Sequence, residues 1–212
     1  MRWFVFILLP LSVFGSFIVP SPWNLRTGEV AIAVGYPTLG VRYGVMDLAE
    51  VGAGIREKGG YFKLGYSNDN FGMGFGISTY TFESAAIFGS VGFKYDGFEA
   101  VIGGLYFEET TYYEMESRLM PHFIISVEVF RQTGDTGNMK GGMGGFSSYE
   151  IRDRFFEAGV YASSVFRDVW IFDHVDLMGG VSIHHKLGEE FQILRSLGVL
   201  FNLSTSFYLF RK

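Results

Sequence analysis

Residues 71–78 read Phe71-Gly72-Met73-Gly74-Phe75-Gly76-Ile77-Ser78, bulky and apolar at each odd position, glycine or serine at each even one. A β-strand sends successive side chains to opposite faces, so this stretch has one apolar face and one nearly bare face. A helix would scatter the same glycines around its surface at a cost of about 1 kcal/mol each. The strand reading wins. The bare face then narrows the architecture. In a half-buried strand of a soluble sheet, the water-facing side carries Lys, Glu, Asp, Thr and Gln. Here it carries Gly and Ser, which suits an enclosed interior. Large apolar residues outside and small or polar ones inside is the inverted pattern of a transmembrane β-barrel.

The same alternation runs through the first half of the chain. Val30, Ile32, Val34 and Tyr36 oppose Ala31, Ala33 and Gly35; Leu39, Val41, Tyr43 and Val45 oppose Gly40, Arg42, Gly44 and Met46. After Asp47-Leu48-Ala49, the residues Val51, Ala53 and Ile55 oppose Glu50, Gly52, Gly54 and Arg56. Past Lys58-Gly59-Gly60, Phe62, Leu64 and Tyr66 oppose Tyr61, Lys63 and Gly65. Asn68-Asp69-Asn70 leads into 71–78, and Thr81-Phe82-Glu83 precedes a strand near 84–95. Tyr95-Asp96-Gly97-Phe98 is a strong hairpin signal, because Asp-Gly supplies the two positive-φ positions of a type I′ turn. Residues 98–108 alternate again. Seven strands joined by such short turns make an up-and-down antiparallel meander.

The second half predicts an eighth strand near 119–131, where Phe123, Ile125, Val127 and Val129 oppose His122, Ile124, Ser126 and Glu128. Residues 133–146 (TGDTGNMKGGMGGF) are glycine-rich and polar and read as a mobile loop; parity sets it on the periplasmic side. A ninth strand is expected over 154–165, with a helix over 149–166 as the alternative, since Glu150, Arg154 and Glu157 fall near helical spacing. Asp173-His174-Val175-Asp176-Leu177 echoes Asp47-Leu48-Ala49-Glu50-Val51 and predicts a turn between strands near 168–172 and 176–186. A last long segment carries Phe201, Leu203, Phe207 and Leu209 against Asn202, Ser204 and Ser206. The total is twelve strands, with eight or ten as alternatives.

Composition agrees with a membrane setting. Aromatic residues make up 18% of the 212, glycine occurs 29 times, and charged residues are 18%, below the roughly one quarter of a soluble protein. A net charge of −5 with no basic stripe argues against a nucleic-acid partner. The absence of cysteine excludes disulfides, thiolate metal sites, cysteine nucleophiles and lipidation at an N-terminal cysteine. Arg2, the apolar run Trp3 to Phe14 and Val13-Phe14-Gly15 before Ser16 read as a secretory signal over 1–15. A retained anchor is the alternative, although Pro10 interrupts the run. Residues 16–28 form a lead-in and 29–212 the barrel.

The hairpin Arg42-Tyr43-Gly44-Val45-Met46-Asp47-Leu48-Ala49-Glu50-Val51-Gly52-Ala53-Gly54 resembles the strand, Asp turn, Glu and apolar-Gly strand recurrent in small bacterial outer-membrane β-barrel proteins. The resemblance covers 29–108 well and 119–210 loosely. It implies a protein exported to the cell outer membrane, with short periplasmic turns, outer-membrane lipid around it and the barrel-assembly machinery as a partner. Such barrels end on an aromatic residue. Here Phe210 is followed by Arg211 and Lys212.

Arg42, Glu50, Arg56, Lys63, Lys94 and Glu99 fall on the small-residue face. They read either as a lumen charge array selecting small solutes or as an interior ion-pair network tying strands together. Ser182 and His184 share a strand face, and with Glu189 or Glu190 as the acid they would suit an outer-membrane hydrolase. The plainer reading of the pair is a polar lumen lining. His184 and His185 point opposite ways and cannot hold one metal; His122 and His174 stand isolated in the sequence. No cofactor is implied. The aromatics Tyr36, Tyr43, Tyr66, Tyr80, Phe82, Tyr95, Phe98 and Tyr106 fall at strand ends, where interfacial girdles sit. The expected function is a passive small-solute pore or a structural membrane protein without catalysis. The hydrolase and a soluble lipocalin-like binder of apolar ligands are the alternatives.

Overall fold

The computed structural model describes residues 22–36, 39–54, 59–80, 84–113, 116–191 and 196–208. They form twelve antiparallel strands in one closed barrel, each paired with its neighbours in sequence and β1 with β12. The strands are β1 (Glu29–Tyr36), β2 (Leu39–Met46), β3 (Ala49–Gly54), β4 (Gly59–Ser67), β5 (Phe71–Tyr80) and β6 (Ser84–Tyr95). They continue with β7 (Phe98–Tyr113), β8 (Glu116–Asp135), β9 (Met139–Glu150), β10 (Phe155–Val169), β11 (Phe172–Lys186) and β12 (Leu197–Tyr208). Closure leaves no open sheet edge, so each wall strand has a ladder partner on both sides.

The face assignment expected from residues 71–78 holds. Phe75 and Ile77 project outward, 59% and 60% exposed, while Gly72, Gly74 and Ser78 are buried inside. Ile87 and Phe93 on β6, Ile102 on β7, Ile125 and Val127 on β8, Val181 on β11 and Val199 on β12 are likewise exposed outside. The inside carries Tyr61, Phe88, Leu105, Phe107 and Ile124 as one buried cluster, and Phe146, Tyr161 and Leu200 as a second. The inner glycines make room for these rings. A Cβ on Gly159 would meet the Phe146 ring at 2.5 Å, and the rings of Phe130 and Tyr161 lie over Gly142 and Gly144.

The turns at Asp47-Leu48, 68–70, Asp96-Gly97, 136–138 and Trp170-Ile171 gather at one end, together with the start of β1 and the close of β12 (Glu29 opposite Tyr208). At the Asp-Gly hairpin, Asp96 has φ 47° and Gly97 φ 70°, as a type I′ turn requires.

Three second-half expectations are corrected. Residues 133–146 are no loop: they close β8, turn at 136–138 and run up β9. Met143 faces out while Gly142 and Gly144 face in beneath aromatic rings, the pattern of 71–78 again, disguised by glycines on both faces. Residues 168–172 are no separate strand, because β10 runs on to Val169 and the chain turns at Trp170-Ile171, leaving Asp173 inside β11. The helical alternative for 149–166 fails too: 151–154 form the turn into β10. Twelve strands therefore emerge with one missed (β9) and one spurious. The leader, Arg56 and Phe82 lie outside the described residues.

Candidate functional site

The inward charges assemble around the chain that precedes β1. Glu50 and Lys63, opposite each other on β3 and β4, are both fully buried. Lys63 Nζ lies 3.5 Å from Glu50 Oε2, and Arg42 Nη1 on β2 lies 3.6 Å from Oε1. The Tyr61 hydroxyl donates to the same carboxylate, and the Leu25 amide donates to Oε2 at 3.0 Å. Glu50 therefore spans two cations, a phenol and a backbone amide. Burial makes a charge costly unless its partners come with it, and here they do.

Trp23 links this group to the next. Its carbonyl accepts from Lys63 Nζ at 3.2 Å, and its indole Nε1 donates to Glu99 Oε1 on β7 at 2.5 Å. Lys94 on β6 sits 3.3 Å from Glu99 Oε2 and 3.9 Å from the centre of the Trp23 ring, a cation–π contact. The ring rests on bare backbone, since a Cβ on Gly72 would meet it at 2.7 Å and one on Gly92 would meet Pro22 at 2.8 Å. Asn24 Nδ2 donates to the Gly65 carbonyl at 2.8 Å, and Asp47 accepts from the Thr27 amide and hydroxyl at 3.0 and 2.7 Å. The Thr27 bonds hold the Asp47 carboxyl, in its exposed turn, below the usual carboxylate range. Residues 22–27 thus cross the turn end of the barrel and are fastened to its inner wall.

Of the six charges singled out in the sequence, Arg42, Glu50 and Lys63 meet directly, Lys94 meets Glu99, and Trp23 joins the two sets. Sequence reasoning missed Trp23, Asn24, Leu25 and Tyr61. The available signal was a Trp flanked by Pro22 and Asn24 between the leader and the first strand, which alternation analysis passes over.

The opposite wall is different. Inward positions on the turn side of β10 to β12 carry Ser163, Asp176, Asn202 and Ser204, half-buried and polar, next to the buried cluster of Phe146, Tyr161 and Leu200 on which Met178 packs. Ser163 Oγ donates to Asp176 at 2.7 Å, Ser206 Oγ meets His174 Nδ1 at 2.9 Å, and Asn202 Oδ1 is buried with no protein partner among the described residues. An orphaned buried carbonyl is a place for water or a polar solute.

Ser182 points inward but is buried, with its Oγ 2.5 Å from where a Cβ on Gly198 would stand. His184 shares that face, stacked on Phe155 at 6.0 Å, and the ladder sets Glu157 across from it. Glu189 pairs instead with Lys186 at 3.6 Å, and Glu190 is exposed.

His122, isolated in the sequence, is not isolated in space. At the far end of the lumen its Nδ1 contacts the Glu150 carboxylate, Arg152 Nη1 lies 3.2 Å from Nε2, and Phe107 stacks on the ring at 4.6 Å.

No protein-family model matches the chain, and no curated sequence matches it. A solved structure similar in shape is OmpT, an outer membrane protein of Vibrio cholerae folded in vitro. The match covers 85% of this chain and 94% of that one, at 8% sequence identity and a TM-score of 0.35. So distant a likeness carries no argument about function.

Proposed function

We propose that the chain is an exported outer-membrane barrel that passes small polar solutes passively, without catalysis. The apolar exterior of a closed barrel supports the membrane setting, with outer-membrane lipid as its surroundings and the barrel-assembly machinery as its route there. The observation that carries the conduit is the asymmetry of the interior. The wall from β4 to β8 is filled by Tyr61, Phe88, Leu105, Phe107 and Ile124, while on β10 to β12 the inward positions on the turn side of Tyr161 and Leu200 are small, polar and partly accessible. Twelve strands lie between the roughly eight whose interior fills with side chains and the roughly 16–18 that leave a wide channel. The expected passage is a narrow polar strip with the Trp23 segment across one end.

The charges at that end are engaged with one another, so they act as braces more than as a free selectivity array. Burial of Ser182 and the pairing of Glu189 with Lys186 favour passage over hydrolysis. The test is planar-bilayer recording on protein extracted from the membrane pellet and shown folded by heat-modifiable migration. Small, resolvable conductance steps are expected. Folded protein that inserts without conductance would leave a structural barrel, and release by osmotic shock would remove the membrane assignment.

A further inference from the structure

The mouth opposite Trp23 holds a second polar constellation that solute passage does not use. His122 on β8, Glu150 at the end of β9 and Asp153 in the turn before β10 each offer a ligand atom, all within 4.8 Å of one another. Two stretches of chain supply them, β8 and the end of β9 with its following turn. His122 and Glu150 are buried and Asp153 is exposed, so the trio has a fixed floor and an open side. The His122 ring is oriented by the parallel Phe107 ring, 8° from coplanar, and the turn is tied down by the Ile151 amide donating to the Phe123 carbonyl at 3.0 Å. Preset ring orientation is what a metal-ligating imidazole needs.

We propose that His122, Glu150 and Asp153 form a binding site for a divalent first-row transition metal of the Zn²⁺ type. One imidazole nitrogen and two carboxylates match the ligand preference of such ions, and three protein ligands leave a position open to water. Arg152 marks how the metal-free site is kept stable. Its guanidinium stands 3.2 Å from His122 Nε2, placing a positive charge beside the buried pair. A bound cation takes over that neutralising role, and Arg152 swings outward from its exposed turn. The ion would clamp the 151–154 turn onto the neighbouring end of β8 at the rim of the lumen.

The test is Zn²⁺ titration of the full chain folded in detergent, read by calorimetry and by the unfolding temperature. Saturable binding at one equivalent with a rise in that temperature is expected. His122→Gln and Asp153→Asn, each checked for heat-modifiable migration, should weaken binding about tenfold or more. His185→Gln, on the outer face of β11, should bind as the unaltered protein does. Asp153 is exposed, so its variant keeps the test decisive even if the His122 variant does not fold. Absence of saturable binding, or equal loss in the His185 variant, overturns the site.

Discussion

The indole nitrogen of Trp23 donates to Glu99 Oε1 at 2.5 Å across 76 residues of sequence, while Lys94 approaches the same ring at 3.9 Å. One side chain from the segment before β1 thereby satisfies an acid on β7 and a base on β6. The turn end of the barrel is braced by chain that belongs to no strand.

Trp23→Ala should release that brace. The Leu25 amide, held by Glu50 in the intact protein, would exchange with deuterium faster, and conductance would rise. Stability should fall by about 2–3 kcal/mol, under the range for a fully buried aromatic because Trp23 is only half-buried. Gly72→Ala tests the same contact from beneath, since its Cβ would meet the ring at 2.7 Å. Gly179→Ala, with open space around it, should be close to neutral. Equal effects at Gly72 and Gly179 would show that the ring is not seated as described.

Glu50 and Lys63 should respond unequally. Glu50→Gln leaves Lys63 and Arg42 facing each other inside the barrel without a carboxylate, at a cost of about 3–5 kcal/mol. Lys63→Met leaves Glu50 still bonded to Arg42, Tyr61 and the Leu25 amide, so the loss should be clearly smaller. Urea unfolding in lipid vesicles measures both. Equal losses would mean that Glu50 does not serve as the hub.

Much of this barrel is legible in its residues because a barrel wall is a repeated local rule. Phe71 to Ser78 displays that rule without noise, and the faces of β1 to β8 follow from it. The rule failed at Met139 to Phe146, where Gly141 and Gly145 stand outward beside the inward Gly142 and Gly144. Composition there imitates a loop, and only the Phe130 and Tyr161 rings on neighbouring strands show why glycine is needed. Spatial partners were the other blind spot. Glu50 and Lys63 could be placed on one face, but their contact depends on the β3–β4 register. Trp23 is bound by strands forty to seventy-six residues further on, and His122 meets Glu150 through a hairpin whose second strand was not recognised.

Acid should loosen the lead-in before it unfolds the barrel. Bonding from Thr27 depresses the Asp47 carboxyl, so the tether is fully present above the ordinary carboxylate value. It is lost as pH falls through the depressed value, below about 4. Hydrogen exchange at the Thr27 amide, corrected for the intrinsic pH dependence, should accelerate in that window and not between pH 5 and 8. Asp47→Asn should flatten the response. An unchanged response in that variant would assign it to another group.

Phe75→Arg separates a membrane wall from a soluble one. Phe75 is the fifth of ten residues in β5, points outward, and lies beside Leu64 of β4 in the ladder. If hydrocarbon surrounds this face, a guanidinium near mid-height of the wall costs about 2–4 kcal/mol, falling toward zero at the strand ends. If water surrounds it, the same change removes an exposed apolar surface and should improve solubility with little effect on stability. Tyr95→Arg provides the depth control, because Tyr95 is 81% exposed beside the Asp96-Gly97 turn. Folding both variants into lipid vesicles of fixed thickness should give a large loss at residue 75 and little at 95. A flat profile, with Phe75→Arg folding as well as the parent chain in buffer without lipid, would place these bulky side chains in water.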